Sequence, residues 1–391
     1  MQEIIYLDHC ATTPLDPAVE AAMAEARAAA AGNASSVHGP GRASRALLSE
    51  ARGRIAARLD AAPDEIIFTA SGSEANNLAI QGSVLRSAPA PFHLVISALE
   101  HPSVLATARY LAGRLSGVRL TEVRPGPDGR VEPEAIERAC ADGVDLICLM
   151  AINNETGVMQ PVEAVGEIAR RHRALFHVDA VQALGRLPIR PQAWGAHFLS
   201  ASAHKVHGPK GVGLLYARRG VPLEPLIHGG HQESGRRAGT EPVEAIVGCA
   251  RAVELADDGL AAAAHLRRLE SSLLETLDLE GLDYVINGAP EFKVPGVLNL
   301  SVPDVASDDL VVGLDLEGVA ISAGAACSSG VIEASHVLRA MGLDPWRVRG
   351  GVRISFGRGN TVDEARRAAR TFLDVCSRLR AERRPVPGSA R

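Results

Sequence analysis

The chain has 391 residues, enough for two domains or one large domain with a smaller satellite, and 46% of them are hydrophobic but only 3% aromatic, so alanine, leucine and valine must fill the core. A net charge of −5 offers no basic face for nucleic acid, and no apolar run reaches the roughly 20 residues of a membrane span. The opening MQEIIYLDH has no basic stretch ahead of an apolar one, so no secretion leader is expected and a cytoplasmic location fits.

Residues 17–31 and 43–59 read as helices, rich in alanine and arginine. Ile66–Thr69, His93–Ser97, Leu146–Ala151, Phe176–Asp179 and His197–Ser202 read as buried strands, each followed by a turn and a helical segment. This alternation predicts an α/β fold with a mostly parallel sheet covered by helices, whose ligands sit beyond the carboxyl ends of the strands. One long helical stretch, Val243–Leu277, follows. The pattern then changes to strands at Gly296–Val302, Val319–Ser322 and Val352–Phe356, with helices near 306–316, 335–341 and 362–380; Thr361 and Glu364 form a capping box for the last. The predicted division is a large domain over 13–257 and a smaller α/β domain built from 1–12 and 258–391, with a disordered tail.

Lysine and arginine total 41, yet only Lys205, Lys210 and Lys293 are lysines. An amine can lose its proton and form an imine, which a guanidinium does not readily do, so these three are the candidates for amine chemistry. Lys205 ends the turn Ser202-Ala203-His204-Lys205 after a strand, and Asp179 ends the strand before it, 26 residues earlier, one crossover away. An amine and a carboxylate at neighbouring strand ends suit pyridoxal 5′-phosphate: the first for its aldehyde, the second to keep its ring nitrogen protonated. A surface ion pair, or Asp179 as a helix cap, is the plain alternative.

Ser71-Gly72-Ser73-Glu74 closes a strand and opens a helix, which suits a phosphate or an ordinary N-cap. His101 could stack on a ring or be structural, and Asn154 lies in a turn that could serve a cofactor or merely reverse the chain. The six cysteines are scattered with no CxxC pair, arguing against a disulfide framework. Cys327 alone sits among small residues, in Ser322-Ala323-Gly324-Ala325-Ala326-Cys327-Ser328-Ser329-Gly330, where an accessible thiolate could act as a nucleophile.

Taken in order, these segments resemble a cysteine desulfurase of the NifS/IscS type, within the class-V aminotransferases of pyridoxal-phosphate fold type I. The likeness runs from Tyr6-Leu7-Asp8 and Ala11-Thr12-Thr13-Pro14 through Gly32-Asn33-Ala34-Ser35-Ser36 to Gly357-Arg358. It is most specific at residues 202–211, at Arg236-Arg237-Ala238-Gly239-Thr240, and in the Cys327 loop with Ser335-His336-Val337-Leu338-Arg339-Ala340-Met341-Gly342. The resemblance implies that Lys205 holds the cofactor as a Schiff base and moves the substrate's Cα proton, and that Asp179 pairs with the ring nitrogen. His101 stacks on the ring, and Asn154 and Gln182 contact its oxygen. Gly72, Ser73, Ser202 and His204 hold the phosphate, with Thr240 reaching across from the partner of a homodimer. Arg353 binds the carboxylate of L-cysteine, aided by Asn33. Cys327 accepts the sulfur, with a histidine such as His101 assisting its ionisation, and passes it to an acceptor protein serving iron–sulfur assembly, tRNA thiolation or DNA phosphorothioation.

The chain departs from the family pattern at His9-Cys10, at the phosphate turn, where Ser73 replaces threonine, and at Ser234, where arginine is commoner. Three other readings stand beside this one. One is a different pyridoxal-phosphate reaction, such as selenocysteine lysis or aminotransfer. Another is an inactive sulfur-relay scaffold, and the third a metal protein using His204 and His207.

Overall fold

The computed structural model describes residues 4–256, 259–324 and 334–382. Cys327 and the tail from 383 lie outside the described residues.

In chain order the first half runs β1 (Ile5–Tyr6), α1 (Pro17–Ala29), α2 (Gly39–Arg58), β2 (Ile66–Thr69), α3 (Gly72–Ser87), β3 (Phe92–Ser97), α4 (Pro102–Arg114) and β4 (Val118–Val123). It continues with α5 (Pro133–Ala139), β5 (Leu146–Cys148), α6 (Val162–His172), β6 (Leu175–Asp179), β7 (Phe198–Ser202) and β8 (Gly213–Ala217). Seven of these strands form one sheet in the order β2-β8-β7-β6-β5-β3-β4, parallel except for β8, which runs against both β2 and β7. Strands β2, β3, β5, β7 and β8 are buried along their whole length, as a sheet covered on both faces requires.

The mostly parallel sheet agrees with the sequence pattern; two of its strands were not legible. Edge strand β4 mixes Arg119 and Glu122 into its apolar residues, and Glu122 meets Arg109 at 2.7 Å, so it lacks the apolar run of its neighbours. Strand β8 is short and antiparallel and follows the lysine turn without a helix between.

The second half runs α7 (Val243–Leu255), α8 (Leu260–Leu279), β9 (Val285–Ile286), β10 (Val297–Ser301), α9 (Ser307–Leu316), β11 (Val319–Ala320), α10 (His336–Ala340), α11 (Pro345–Gly350), β12 (Gly351–Ser355) and α12 (Val362–Glu382). The expected single helix over 243–277 is two helices. Gly259 lies between them at φ +73°, and an added β-carbon there would stand 2.5 Å from the Arg186 backbone. The capping box holds: the Thr361 amide donates to Glu364 at 2.7 Å and the Glu364 amide donates to Thr361 Oγ1 at 3.1 Å.

Strand β10 pairs antiparallel with β12 and β9, while β1 pairs parallel with β11. Ile5 and Leu7 pack with Leu298, Ile354 and Phe372 in one apolar cluster, whereas Cys10 belongs to the larger cluster of the seven-stranded sheet. The opening strand thus passes from one core to the other within a few residues, which brings residues 8–13 against the carboxyl ends of the central strands.

His177, in the middle of β6, is fully buried, with Nε2 3.0 Å from Ser200 Oγ and Nδ1 unpartnered. Burial pushes its pKa from 6.5 down to about 4, with Asp179 opposing. The unfolded chain therefore binds a proton that the folded chain refuses between those values. His177's contribution is complete above pH 6.5 and lost as pH falls through about 4, a loss of about 3 kcal/mol. Urea unfolding at neutral and acidic pH is expected to show this fall, and His177→Asn to flatten it; an unaltered acid slope in the variant would rule the assignment out.

Candidate active site

A cavity of about 310 Å³ opens at the carboxyl ends of the central strands. Ten residues singled out from the sequence line it together: Lys205, Asp179, His101, Asn154, Gln182, Gly72, Ser73, Ser202, His204 and Arg353. Thr240 is exposed and borders a different cavity with Phe68, Glu233 and Arg237. Asn33 is also exposed, away from the central cavity, and its side chain accepts from the Ser35 amide at 2.8 Å.

Parallel pairing sets the central geometry. Asp179 ends β6 in register with Ser200 of β7, and Lys205 ends the 3-10 turn that directly follows β7. The Lys205 amine donates to the carbonyl oxygens of Cys10 at 2.6 Å and Ala11 at 2.7 Å. Burial is the main cause that pushes its pKa down, to about 8, with Arg353 and Arg186 adding to the effect and Cys10 and Asp8 opposing. A neutral amine is thus accessible near physiological pH, as amine nucleophiles require.

Asp179 accepts from Asn76 Nδ2 at 2.7 Å and from the Val181 amide at 3.0 Å. Asn76 also donates to Ser103 Oγ at 2.9 Å, and that hydroxyl lies 2.8 Å from His101 Nδ1. The Ser103 amide donates to the same nitrogen at 3.1 Å, so His101 Nδ1 is an acceptor and the neutral ring carries its hydrogen on Nε2. Burial lowers the His101 pKa and keeps the ring neutral, with Lys205 and His336 adding to the effect and Asp179 opposing. Behind them Glu100 is fully buried; burial first, and then Asp179, push its carboxyl well above the ordinary range. Burial thus favours the neutral form of Glu100.

Helix α3 points its first turn into the cavity. Ser71 Oγ is spent on capping, accepting from the Glu74 amide at 3.1 Å, which leaves the Gly72 and Ser73 amides without intrahelical acceptors. Gly72 must lack a side chain, because a β-carbon would meet Val181 Cγ2 at 2.7 Å. Ser202 Oγ and Asn154 Oδ1 are buried in the cavity wall with no partner among the described residues. Arg353, 3% exposed, donates to Asp8 Oδ1 at 2.7 Å and to the Asn154 carbonyl at 2.9 Å, and its Nε is left unpaired.

Sequence reasoning missed the opening segment as part of the wall. Thr13 Oγ1 donates to the His204 carbonyl at 2.9 Å, and Gln182 Nε2 donates to the Cys10 carbonyl at 2.9 Å. The Cys10 thiol accepts from Arg186 at 3.3 Å; burial raises its pKa, but Arg186 and Arg353 outweigh that and the net direction is down. The departure at His9-Cys10 was the available signal. Asn76, Ser103 and Glu155 gave none, since each is an ordinary residue until packing brings it to the cavity; His336 lay inside a motif without being singled out. Among the described residues no group of three His, Cys, Asp or Glu side chains could hold a metal ion, and His207 instead faces the Pro14 carbonyl at 3.0 Å.

Residues 5–367 match the aminotransferase class-V family, and the chain belongs to it. Its fold is that of pyridoxal-phosphate fold type I. The putative cysteine desulfurase IscS 1 of Bacillus subtilis is 43% identical over 379 residues, covering 96% of this chain and all of that one. A solved NifS-like protein superposes with a TM-score of 0.89 at 35% identity, covering 96% of this chain and 99% of its own. SspA, solved in complex with cysteine, superposes at 0.80 and 32% identity, covering 91% of this chain and all of that one. The chain is a cysteine desulfurase dependent on pyridoxal 5′-phosphate.

The cavity fits that cofactor on its own terms. It offers an amine of depressed pKa, the Asp179 carboxylate at a strand end, a helix N-terminus whose first amides have no acceptor among the described residues, and two buried polar atoms without partners there.

Proposed function

We propose that this enzyme converts L-cysteine to L-alanine by moving the sulfur onto Cys327 as a persulfide, and then hands it to an acceptor protein. The observation that carries the reading is the convergence of Lys205, Asp179 and Arg353 on one cavity from strands 26 and 148 residues from the lysine turn. Pyridoxal phosphate, when bound, supplies an aldehyde for an amine and a ring that takes up electron density from Cα. Lys205 would hold it through its amine and, once free, move the Cα proton. Asp179 would keep the ring nitrogen protonated, His101 would face the ring, and Asn154 and Gln182 would meet its oxygen. Gly72, Ser73, Ser202 and His204 receive the phosphate.

Arg353 binds the substrate carboxylate, a role supported by its Nε, which has no partner among the described residues. The Cys327 thiolate attacks the substrate sulfur: an S–S bond forms as the Cβ–S bond breaks, the three-carbon fragment keeps the electron pair, and a proton taken up at Cβ completes alanine. The exposed Thr240 suits a phosphate contact in the second subunit of a homodimer. An apolar cluster of Ile5, Leu7 and residues between 269 and 376 supports a small domain from 1–12 and 258–391 beside a large one over 13–257. The lack among the described residues of a helix able to cross a membrane is consistent with work in the cytoplasm. Iron–sulfur assembly, tRNA thiolation and DNA phosphorothioation are the candidate destinations of the sulfur.

Cys327→Ser is expected to keep the bound, coloured cofactor and lose sulfide and alanine release by about 100-fold or more. Trapping of the persulfide by alkylation and mass spectrometry checks it. Unchanged turnover in the serine variant would eliminate Cys327 as the sulfur carrier.

A further inference from the structure

We propose that Asn299 is a positioning residue for substrate binding: its amide holds the Glu155 carbonyl and so fixes the turn against which Arg353 is aimed. The inference rests on the reading above in which Arg353 takes the substrate carboxylate. Asn299 on β10 and Arg353 on β12 are cross-strand partners, so their side chains leave the same face of the pair. They reach neighbouring carbonyls of one turn. Arg353 Nη1 donates to the Asn154 carbonyl at 2.9 Å, and Asn299 Nδ2 donates to the Glu155 carbonyl at 3.3 Å. The same turn carries Asn154 Oδ1, which is buried in the cavity wall without a partner among the described residues.

The direction of every bond behind Asn299 is fixed by its two ends, because a guanidinium only donates and a carbonyl only accepts. Arg347 Nε donates to Asn287 Oδ1 at 2.9 Å, and Asn287 Nδ2 donates to Asn299 Oδ1 at 2.7 Å. Asn299 Nδ2 then ends the chain on the Glu155 carbonyl. Asn287 Nδ2 also donates to Ser301 Oγ at 2.7 Å, and that hydroxyl donates to the Arg347 carbonyl at 2.9 Å. Asn287, Asn299 and Ser301 are fully buried, so neither amide can turn over without stranding polar atoms away from water. Bonds aligned head to tail polarise one another and strengthen the last donor.

The turn is held from the other side as well. Asn153 Oδ1 accepts from the Glu155 and Thr156 amides, each at 2.9 Å, and a β-carbon at Gly157 would meet Val297 Cβ of β10 at 2.8 Å. Asn299 ties the middle of the turn to the same strand. Arg353 gives Nη2 to Asp8 at 2.7 Å and Nη1 to the Asn154 carbonyl, while its Nε has no partner among the described residues. Two of its nitrogens are thus committed, and the aim of the third depends on where the turn sits. A small displacement of such a group costs binding, because a two-point contact with a carboxylate needs both nitrogens in line.

The test uses the loaded enzyme with Asn299→Asp, which keeps the size and the acceptor for Asn287 but turns an oxygen toward the Glu155 carbonyl. Binding of L-alanine and of ethylamine, an amine without a carboxylate, is read from the absorbance of the cofactor. The dissociation constant for L-alanine is expected to rise about tenfold, the worth of one buried hydrogen bond, while ethylamine binding is unchanged. Asn299→Ala, which has no charge to bury, is read in the same way should the aspartate variant fold poorly. Unchanged L-alanine binding would overturn the proposal, as would equal weakening of both ligands, which is what a general loosening of the cavity produces. Failure of the reading beneath it is seen separately, as L-alanine binding undiminished in Arg353→Gln.

Discussion

Lys205→Ala is expected to lower sulfide and alanine release from L-cysteine by about four orders of magnitude, the upper range for loss of a positioned proton-transfer group. The variant should also lose its covalent hold on the cofactor, seen as cofactor that dialyses away. The amine is held by two backbone carbonyls of residues 10 and 11, and alanine at 205 leaves both without that donor. Lys210 does not line the cavity and offers no substitute. A companion result concerns pH. Only the neutral amine adds to an aldehyde, and burial holds Lys205 at about 8. Loading of the cofactor onto cofactor-free enzyme should therefore speed up as pH rises and level off above about 8. Stopped-flow absorbance measures this directly. A loading rate that continued to climb to the ordinary lysine range would show that the amine is not desolvated as described.

Asp179→Asn should slow removal of the Cα proton by about 1,000-fold while leaving the fold intact, the magnitude typical of losing one preorganised charge from a buried site. Asparagine keeps one oxygen for the Val181 amide, and a flip of the Asn76 amide would turn its unpartnered Oδ1 toward the new Nδ2, so the strand end need not move. What disappears is the carboxylate proposed to pair with the ring nitrogen. Glu100 does not replace it, because burial, the largest cause, still pushes its carboxyl above the ordinary range. Exchange of the Cα proton of L-alanine reads the effect apart from sulfur chemistry. Wild-type exchange in Asp179→Asn would sink the electrostatic role assigned to this carboxylate.

These two residues were legible from sequence for a physical reason. A buried parallel strand is an apolar run, and the residue that ends it is placed by topology alone at the rim where ligands bind. Asp179 and Lys205 each terminate such a segment, one crossover apart, and the scarcity of lysine marked the amine. Gly72 and Ser202 follow from the same rule. Edge strand β4 escaped because an edge tolerates charges that interrupt the pattern. The break between α7 and α8 escaped because one glycine in a helical run says little until Arg186 is seen against it.

The sequence by itself therefore determined the α/β architecture, the desulfurase family and the strand ends at which Lys205 and Asp179 meet, because each depends on local pattern or on motifs in order. Only the tertiary structure decided how those groups are tuned. The Cys10 and Ala11 carbonyls reach Lys205 from 195 and 194 residues away. Asn76 and Ser103 join Asp179 to His101, and this link fixes which nitrogen of His101 is free. Glu155 finds His336 from another element altogether. Protonation states and hydrogen-bond directions are set by which atoms are desolvated together, and that is a property of packing in three dimensions, which no spacing along the chain encodes.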